Sequence, residues 1–283
     1  MIEQGRSEYA DKGGKELFWN VVYRILIPTI LFSLIEYAPK HILRGECLSF
    51  HTLLSNTIGG GTYWFTSALV VSELVLLLLL FSRKSNIWFY VVTVLIAAII
   101  GYWLVQIDFH IFGLGRDPWA YRRGLIALGY LVIGGLYWRY ESVISKMLNI
   151  YFVIALLIVY VFIFVDKSHN ARASISLMSI NWLGYLASLL GCVVLIQLCK
   201  LLKPLSFLTF IGQNSLCFYF LSGGLPMVLS MVEKRFMGVD NWCGCLLVIL
   251  LSIGLAYVIT LLLSRYFPFV FDLRRLKRKY DKQ

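Results

Sequence analysis

Trp64-Phe-Thr-Ser-Ala-Leu-Val-Val-Ser-Glu-Leu-Val-Leu-Leu-Leu-Leu-Leu-Phe81 is the stretch on which the fold turns. Its apolar residues run on without alternating, so a strand with one wet face is excluded and a helix in an apolar medium is indicated. At 1.5 Å per residue such a run approaches the roughly 30 Å hydrocarbon layer of a bilayer. The next run, Ile87–Val105, repeats the pattern after a short polar break. Working outward, helices are expected at Trp19–Tyr37, Arg122–Trp138, Leu148–Val165, Ser179–Cys199, Phe207–Val232 and Trp242–Tyr266. The reading is an all-α, polytopic membrane helical bundle of about eight transmembrane helices, a single domain over 1–283.

Composition supports lipid as the solvent. The 283 residues are 59% hydrophobic and 14% charged, with a mean hydropathy of +0.77. Soluble domains carry about 25% charged residues, and a chain of this size cannot hide the excess apolar surface in one core. The net charge of +11 fits loops and a basic tail against anionic headgroups better than nucleic acid, which is not expected as a partner. The opening residues are polar and mixed in charge, so no signal peptide is expected and the first apolar helix serves for insertion.

Pro39, Gly59-Gly60-Gly61, Ser82-Arg83-Lys84-Ser85, Asp117-Pro118 and Lys203-Pro204 mark the breaks. The longest loop, Ala38 to Tyr63, has room for a short surface helix. With both ends inside, seventeen of the 26 Lys and Arg fall on the inner side and nine on the outer, chiefly through the tail around Arg274–Lys279. N-in and C-in is therefore favoured. His41, His51, His110 and His169 then fall in outer loops. The Cys243-x-Cys245 pair has no second pair or neighbouring His, so no metal site is expected. Trp19, Trp64, Trp88, Trp138, Trp182 and Trp242 lie near helix ends, as an interfacial belt requires.

A few polar residues inside or beside the apolar runs are the site candidates. Glu73 lies mid-helix, where a charge costs at least about 2.5 kcal/mol, so it faces the protein interior or a wet cavity. Arg24, four residues before Pro28, is either a snorkelling cation or an anion contact near the inner face. Arg122 and Arg123 open a helix on the outside, as interfacial anchors or as contacts to a charged or sugar substrate. Asn214 and Ser215 can satisfy backbone groups at a helix start. Ser222-Gly-Gly224-Leu-Pro226 predicts a break or kink, tolerated in membranes where backbone lines a cavity or is buried. No Walker loop, His-Glu-x-x-His or Gly-x-Ser-x-Gly is present, so local motifs give no enzyme class.

Three ordered segments carry a resemblance. Arg24-Ile-Leu-Ile-Pro28, Trp64-Phe65-Thr-Ser-Ala-Leu69 and Phe210-Ile-Gly-Gln-Asn-Ser-Leu216-x-x-Tyr219-x-Leu221 together resemble the acyltransferase 3 family of membrane acyltransferases. The resemblance implies a ten-helix core, a cytoplasmic acyl-CoA donor (acetyl-CoA above all), no bound cofactor, and an acceptor hydroxyl on a glycan or lipid-linked sugar. O-acetylation of a cell-envelope polysaccharide at the bacterial inner (cytoplasmic) membrane follows as the expected setting, with the lipid bilayer as the standing partner. It also implies departures. The family's first helix bears a histidine regarded as catalytic, and this chain is expected to correspond to helices three to ten. Residues Gly5 to Phe18 look like the loop leading into helix three. Val21 stands where the family has the first Arg of an Arg-x-x-Arg, and Ser222 where it has a late histidine. A sugar hydroxyl needs a base to attack a thioester, so the isolated chain is expected to be inactive. A membrane transporter or flippase, or a non-catalytic membrane partner, is the competing reading.

Overall fold

The computed structural model describes residues 14–81, 87–106, 117–147, 150–165, 182–201, 205–236 and 242–267. All their regular structure is helical. In chain order the helices are α1 (Gly14–Val21), α2 (Ile27–Arg44), α3 (Phe50–Thr57), α4 (Trp64–Phe81), α5 (Ile87–Gln106), α6 (Tyr121–Arg139), α7 (Glu141–Met147), α8 (Ile150–Val165) and α9 (Trp182–Leu201). They continue with α10 (Ser206–Gln213), α11 (Ser215–Ser222), α12 (Leu225–Phe236) and α13 (Trp242–Tyr266). A helix stands at each of the eight apolar runs. Among the described residues, Glu16–Arg44 and Trp242–Tyr266 are long and apolar enough to cross a membrane. The pair Ser215–Ser222 and Leu225–Arg235, bent by 43°, makes a third if taken as one span. Helices at all eight places are thus found, while eight crossings are not established by length and composition. The expected histidine loops at His110 and His169 lie outside the described residues.

The chain divides into two compact units, Met1–Val21 with Trp64–Lys203, and Val22–Tyr63 with Pro204–Gln283. In the first, α6 packs against both α4 and α5, and α1 lies on α4. Ala97, Leu128 and Val132 form its buried centre, flanked by Val75, Leu76 and Leu125. The α4–α6 contact is close because small residues meet there. Thr66, Ser67 and Ser72 are fully buried on α4 while Leu78 is 70% exposed. Small and polar residues inward with large apolar ones outward is the pattern of helices packed in lipid. Tyr130 of α6 lies 2.6 Å from Ser188 of α9, and Gln197 Nε2 donates to the Tyr137 hydroxyl at 2.7 Å.

The second unit shows the same inverted pattern on α13, where Gly244, Ser252, Ala256 and Thr260 are buried and Leu250 and Leu262 are exposed. Its centre is Phe32, Tyr63 and Phe220, with Phe32 stacked on Phe220 at 4.4 Å between centroids. Cys217 Sγ of α11 lies 3.1 Å from Thr260 Oγ1 of α13.

The first apolar run ends later than Tyr37. Helix α2 continues through Pro39 to Arg44 and stops at Gly45, whose φ of +67° is the left-handed C-cap that glycine adopts without strain. A proline near the end of a helix removes one rung and leaves the last turn standing. His41 therefore sits in the final helical turn, its Nδ1 2.9 Å from Glu46, rather than in a loop. The expected surface helix is α3, with His51 exposed on it. It is tied back by Tyr37, whose hydroxyl donates to Ser49 O at 2.7 Å and accepts from the Ser49 N–H at 3.1 Å.

Candidate functional site

At the start of α2 the helix widens into a π-turn over Val22–Leu26. The cause is Pro28, which has no N–H to give the Arg24 carbonyl. Thr29 Oγ1 donates to Ile25 O at 2.7 Å beside it. Arg24 is exposed on this turn, available to an anion or to headgroups.

Farther along α2, sequence reading passed over Glu36 and Lys40. Spaced i, i+4, they form an ion pair with side chains only 15% and 16% exposed. Lys40 Nζ also lies 4.9 Å from the centre of the Tyr63 ring. The Tyr63 hydroxyl donates to Phe220 O at 3.3 Å. Burial, and the Glu36 carboxylate beside it, hold the Tyr63 phenol well above its usual range. The backbone facing this group is the predicted break. A Cβ on Gly223 would stand 3.2 Å from Lys40 Nζ, and one on Gly224 would stand 3.7 Å from Glu36 Oε2.

The break itself has a definite cause. Gly223 has φ −79° and ψ −26°, an ordinary right-handed conformation. Gly224 N–H reaches back three residues to Leu221 O at 3.2 Å, and Pro226 offers no N–H to the Ser222 carbonyl. Proline, more than glycine freedom, ends α11 and starts α12. Ser222 is exposed, its hydroxyl donating to Tyr219 O at 2.7 Å. Beside the break, an apolar recess of about 290 Å³ opens between Leu221, Leu225 and Pro226 and residues Ile249 and Ile253 of α13.

Asn214 departs from the expected capping role. It precedes α11, but its side chain makes no cap; Nδ2 donates back to Phe210 O at 2.9 Å, closing α10. Ser215, the first residue of α11, is exposed.

The other candidates belong to the first unit. Glu73 is half-buried on α4 and partnered. The approach to α6 is strained, with Trp119 and Ala120 at φ +56° and +48°. Asp117 secures it by accepting the Arg122 N–H at 3.1 Å. Its other oxygen lies 3.6 Å from Arg123 Nε. Burial holds the Asp117 carboxyl above the usual carboxylate range, against the opposing pull of both arginines. The Arg123 guanidinium lies over the Trp64 ring at 5.3 Å, and Arg122 lies over Tyr121 at 5.6 Å with Nε donating to the Tyr121 hydroxyl at 3.1 Å. Arg122 is only 4% exposed, too deep for an interfacial anchor. The structure thus brings Trp64 and Arg123 into contact beside Arg122. Arg24, Asn214, Ser215 and Ser222 belong to the other unit.

Residues 7–261 match the family described as an acyltransferase domain, acyltransferase 3. No curated protein and no solved structure matches the chain. A match over that length, on apolar helices that bury their small residues and expose their large ones, leads to one conclusion: this is an integral membrane protein, and the chain belongs to the acyltransferase 3 family.

Proposed function

We propose that the chain serves the transfer of an acyl group, acetyl in the simplest case, from a cytoplasmic acyl-CoA to a hydroxyl of an envelope or exported glycan. The setting is a bacterial inner membrane with both chain ends inside. The observation that carries this is the family match over residues 7–261. The geometry of the helical run containing Arg24 and Glu36 supports it. Twelve residues separate the two, about 18 Å along the axis. Arg24 is exposed at the end assigned to the cytoplasm, where a donor's phosphates would arrive. Glu36, Lys40 and Tyr63 lie toward the other end against the Gly223–Gly224 backbone, where an acceptor hydroxyl would meet polar partners.

In the reaction, the hydroxyl oxygen attacks the thioester carbonyl carbon. The C–S bond breaks, CoA leaves as its thiol, and the hydroxyl proton passes to a base. Among the described residues the histidines are His41, paired with Glu46 in the last turn of α2, and the exposed His51. Neither is buried mid-helix, and His110 and His169 fall between apolar runs of the sequence, so this chain by itself is expected to turn over little substrate. The residues argued above bind and position the partners.

A thioether analogue of acetyl-CoA titrated into the purified chain tests the reading. Saturable binding, weakened at least tenfold by Arg24→Ala, is the expected result. No binding overturns it and favours a transporter or flippase, for which the 43° break in Ser215–Arg235 would serve equally well. In membranes supplied with labelled acetyl-CoA, the chain alone is expected to transfer little label, and robust turnover would refute the missing base.

A further inference from the structure

We propose that Arg122 and Arg123 form a site for an oxyanion, the carboxylate or phosphate of a charged sugar on the acceptor. The proposal deepens the acceptor side of the reading above and rests on it.

Four observations converge. Arg122 is 96% buried by its 4% exposure, yet its Nη2 meets no hydrogen-bond acceptor among the described residues. Its Nε is satisfied by the Tyr121 hydroxyl, so the unmet donor is at the outer end of the guanidinium. Arg123 Nε and Asp117 Oδ2 stand 3.6 Å apart, attracted but not hydrogen-bonded. Asp117 is thus the carboxylate beside both arginines, its Oδ1 accepting the Arg122 backbone N–H and its Oδ2 facing the Arg123 guanidinium. A buried cation short of partners is strongly unfavourable, and a hydrogen-bonded counter-anion removes that penalty.

The chemistry selects the ligand class. A guanidinium presents planar N–H pairs that match carboxylate and phosphate oxygens. One face of each of two nearby rings carries a guanidinium, Arg123 over Trp64 and Arg122 over Tyr121. An anion finds there an unmet Arg122 donor and two guanidinium charges beside a single carboxylate. Recognition at this site is thus by charge.

The test uses the full chain in phosphatidylcholine nanodiscs, without acyl-CoA, so that its outcome is independent of transfer and of donor binding. Calorimetric titrations with glucuronate and glucose 1-phosphate are compared with glucose. At least one anionic sugar is expected to bind at least tenfold more tightly than glucose, with an affinity that falls as salt rises. Arg122→Gln is expected to lose at least tenfold, and Arg122→Lys, which keeps the charge but not the fork, to fall between. Circular dichroism and thermal unfolding of both variants establish that they are folded. Glucose binding as tightly as the anions, or Arg122→Gln with unchanged affinity and intact fold, overturns the proposal. So does Arg122-dependent binding of phosphatidylglycerol with neither sugar anion binding, which assigns the site to a lipid headgroup.

Discussion

Ser72 Oγ lies 2.7 Å from the Gly124 carbonyl oxygen and the same distance from Ala68 O on its own helix. One hydroxyl thus bridges α4 to α6 where the helices come nearest. A Cβ at Gly124 would stand 2.8 Å from Val71 Cβ and 3.0 Å from Ala68 O. Gly124→Ala is accordingly expected to destabilise by about 1–3 kcal/mol through overpacking. Ser72→Ala removes only an interhelical hydrogen bond and is expected to cost about 0.5–1.5 kcal/mol. Thermal unfolding in detergent should rank glycine above serine.

Lys40 and Glu36 are predicted to couple. Lys40→Met leaves the buried carboxylate without its cation and is expected to destabilise by about 3 kcal/mol. Adding Glu36→Gln to that variant is expected to recover part of the loss. A double-mutant cycle by thermal unfolding measures the recovery, and strict additivity would show that the pair contributes nothing.

The bend after Ser222 is predicted to follow proline rather than glycine. Gly223→Ala places a methyl in an already right-handed backbone, 3.2 Å from a Lys40 Nζ that Glu36 and the Tyr63 ring hold in place. It is expected to cost about 1 kcal/mol as Lys40 gives way, while leaving the bend unchanged. Pro226→Ala restores a donor for the Ser222 carbonyl and is expected to reduce the 43° angle. Spin-label distances across Ser215–Arg235 distinguish the two variants.

Asp117 gives a pH dependence whose sign follows from its burial. Its folded carboxyl is held above the unfolded value of 3.8 by burial. The folded state then binds the proton more tightly, so this group's stabilising contribution is fully present below pH 3.8. It is lost as pH rises through the folded value. Asp117→Asn keeps an oxygen for the Arg122 N–H and is expected to flatten that decline, whereas Asp117→Ala loses the cap as well, about 0.5–2 kcal/mol. Melting temperatures across acidic to neutral pH decide it.

Helix positions were legible because an apolar run has few ways to satisfy its backbone in lipid. Trp64 and Trp242 each open a helix as expected, and the interruption near Gly223 was visible from its residues. Depth and partnership were not. Glu36 and Lys40 were passed over because Pro39 read as a stop; only the continued helix shows that they face Tyr63. Arg122 looked like an anchor because helix ends often carry arginine, and its burial depends on tertiary packing that no local pattern encodes. Asn214 had the right residue type for a cap, yet its amide found the nearer Phe210 carbonyl. What unites these cases is that the competing partner lies on another turn or helix.

Pro226 leaves the Ser222 carbonyl without its helical rung. A regular helix must rupture a hydrogen bond to change its angle, but here that bond is already missing. The bend is therefore held by fewer rungs than a regular helix, with the Gly224 N–H to Leu221 O bond spanning it. The angle between Ser215–Ser222 and Leu225–Arg235 then rests largely on what packs alongside, Ile249 and Ile253 across the recess among them, and a change of packing there moves one arm against the other without unfolding either.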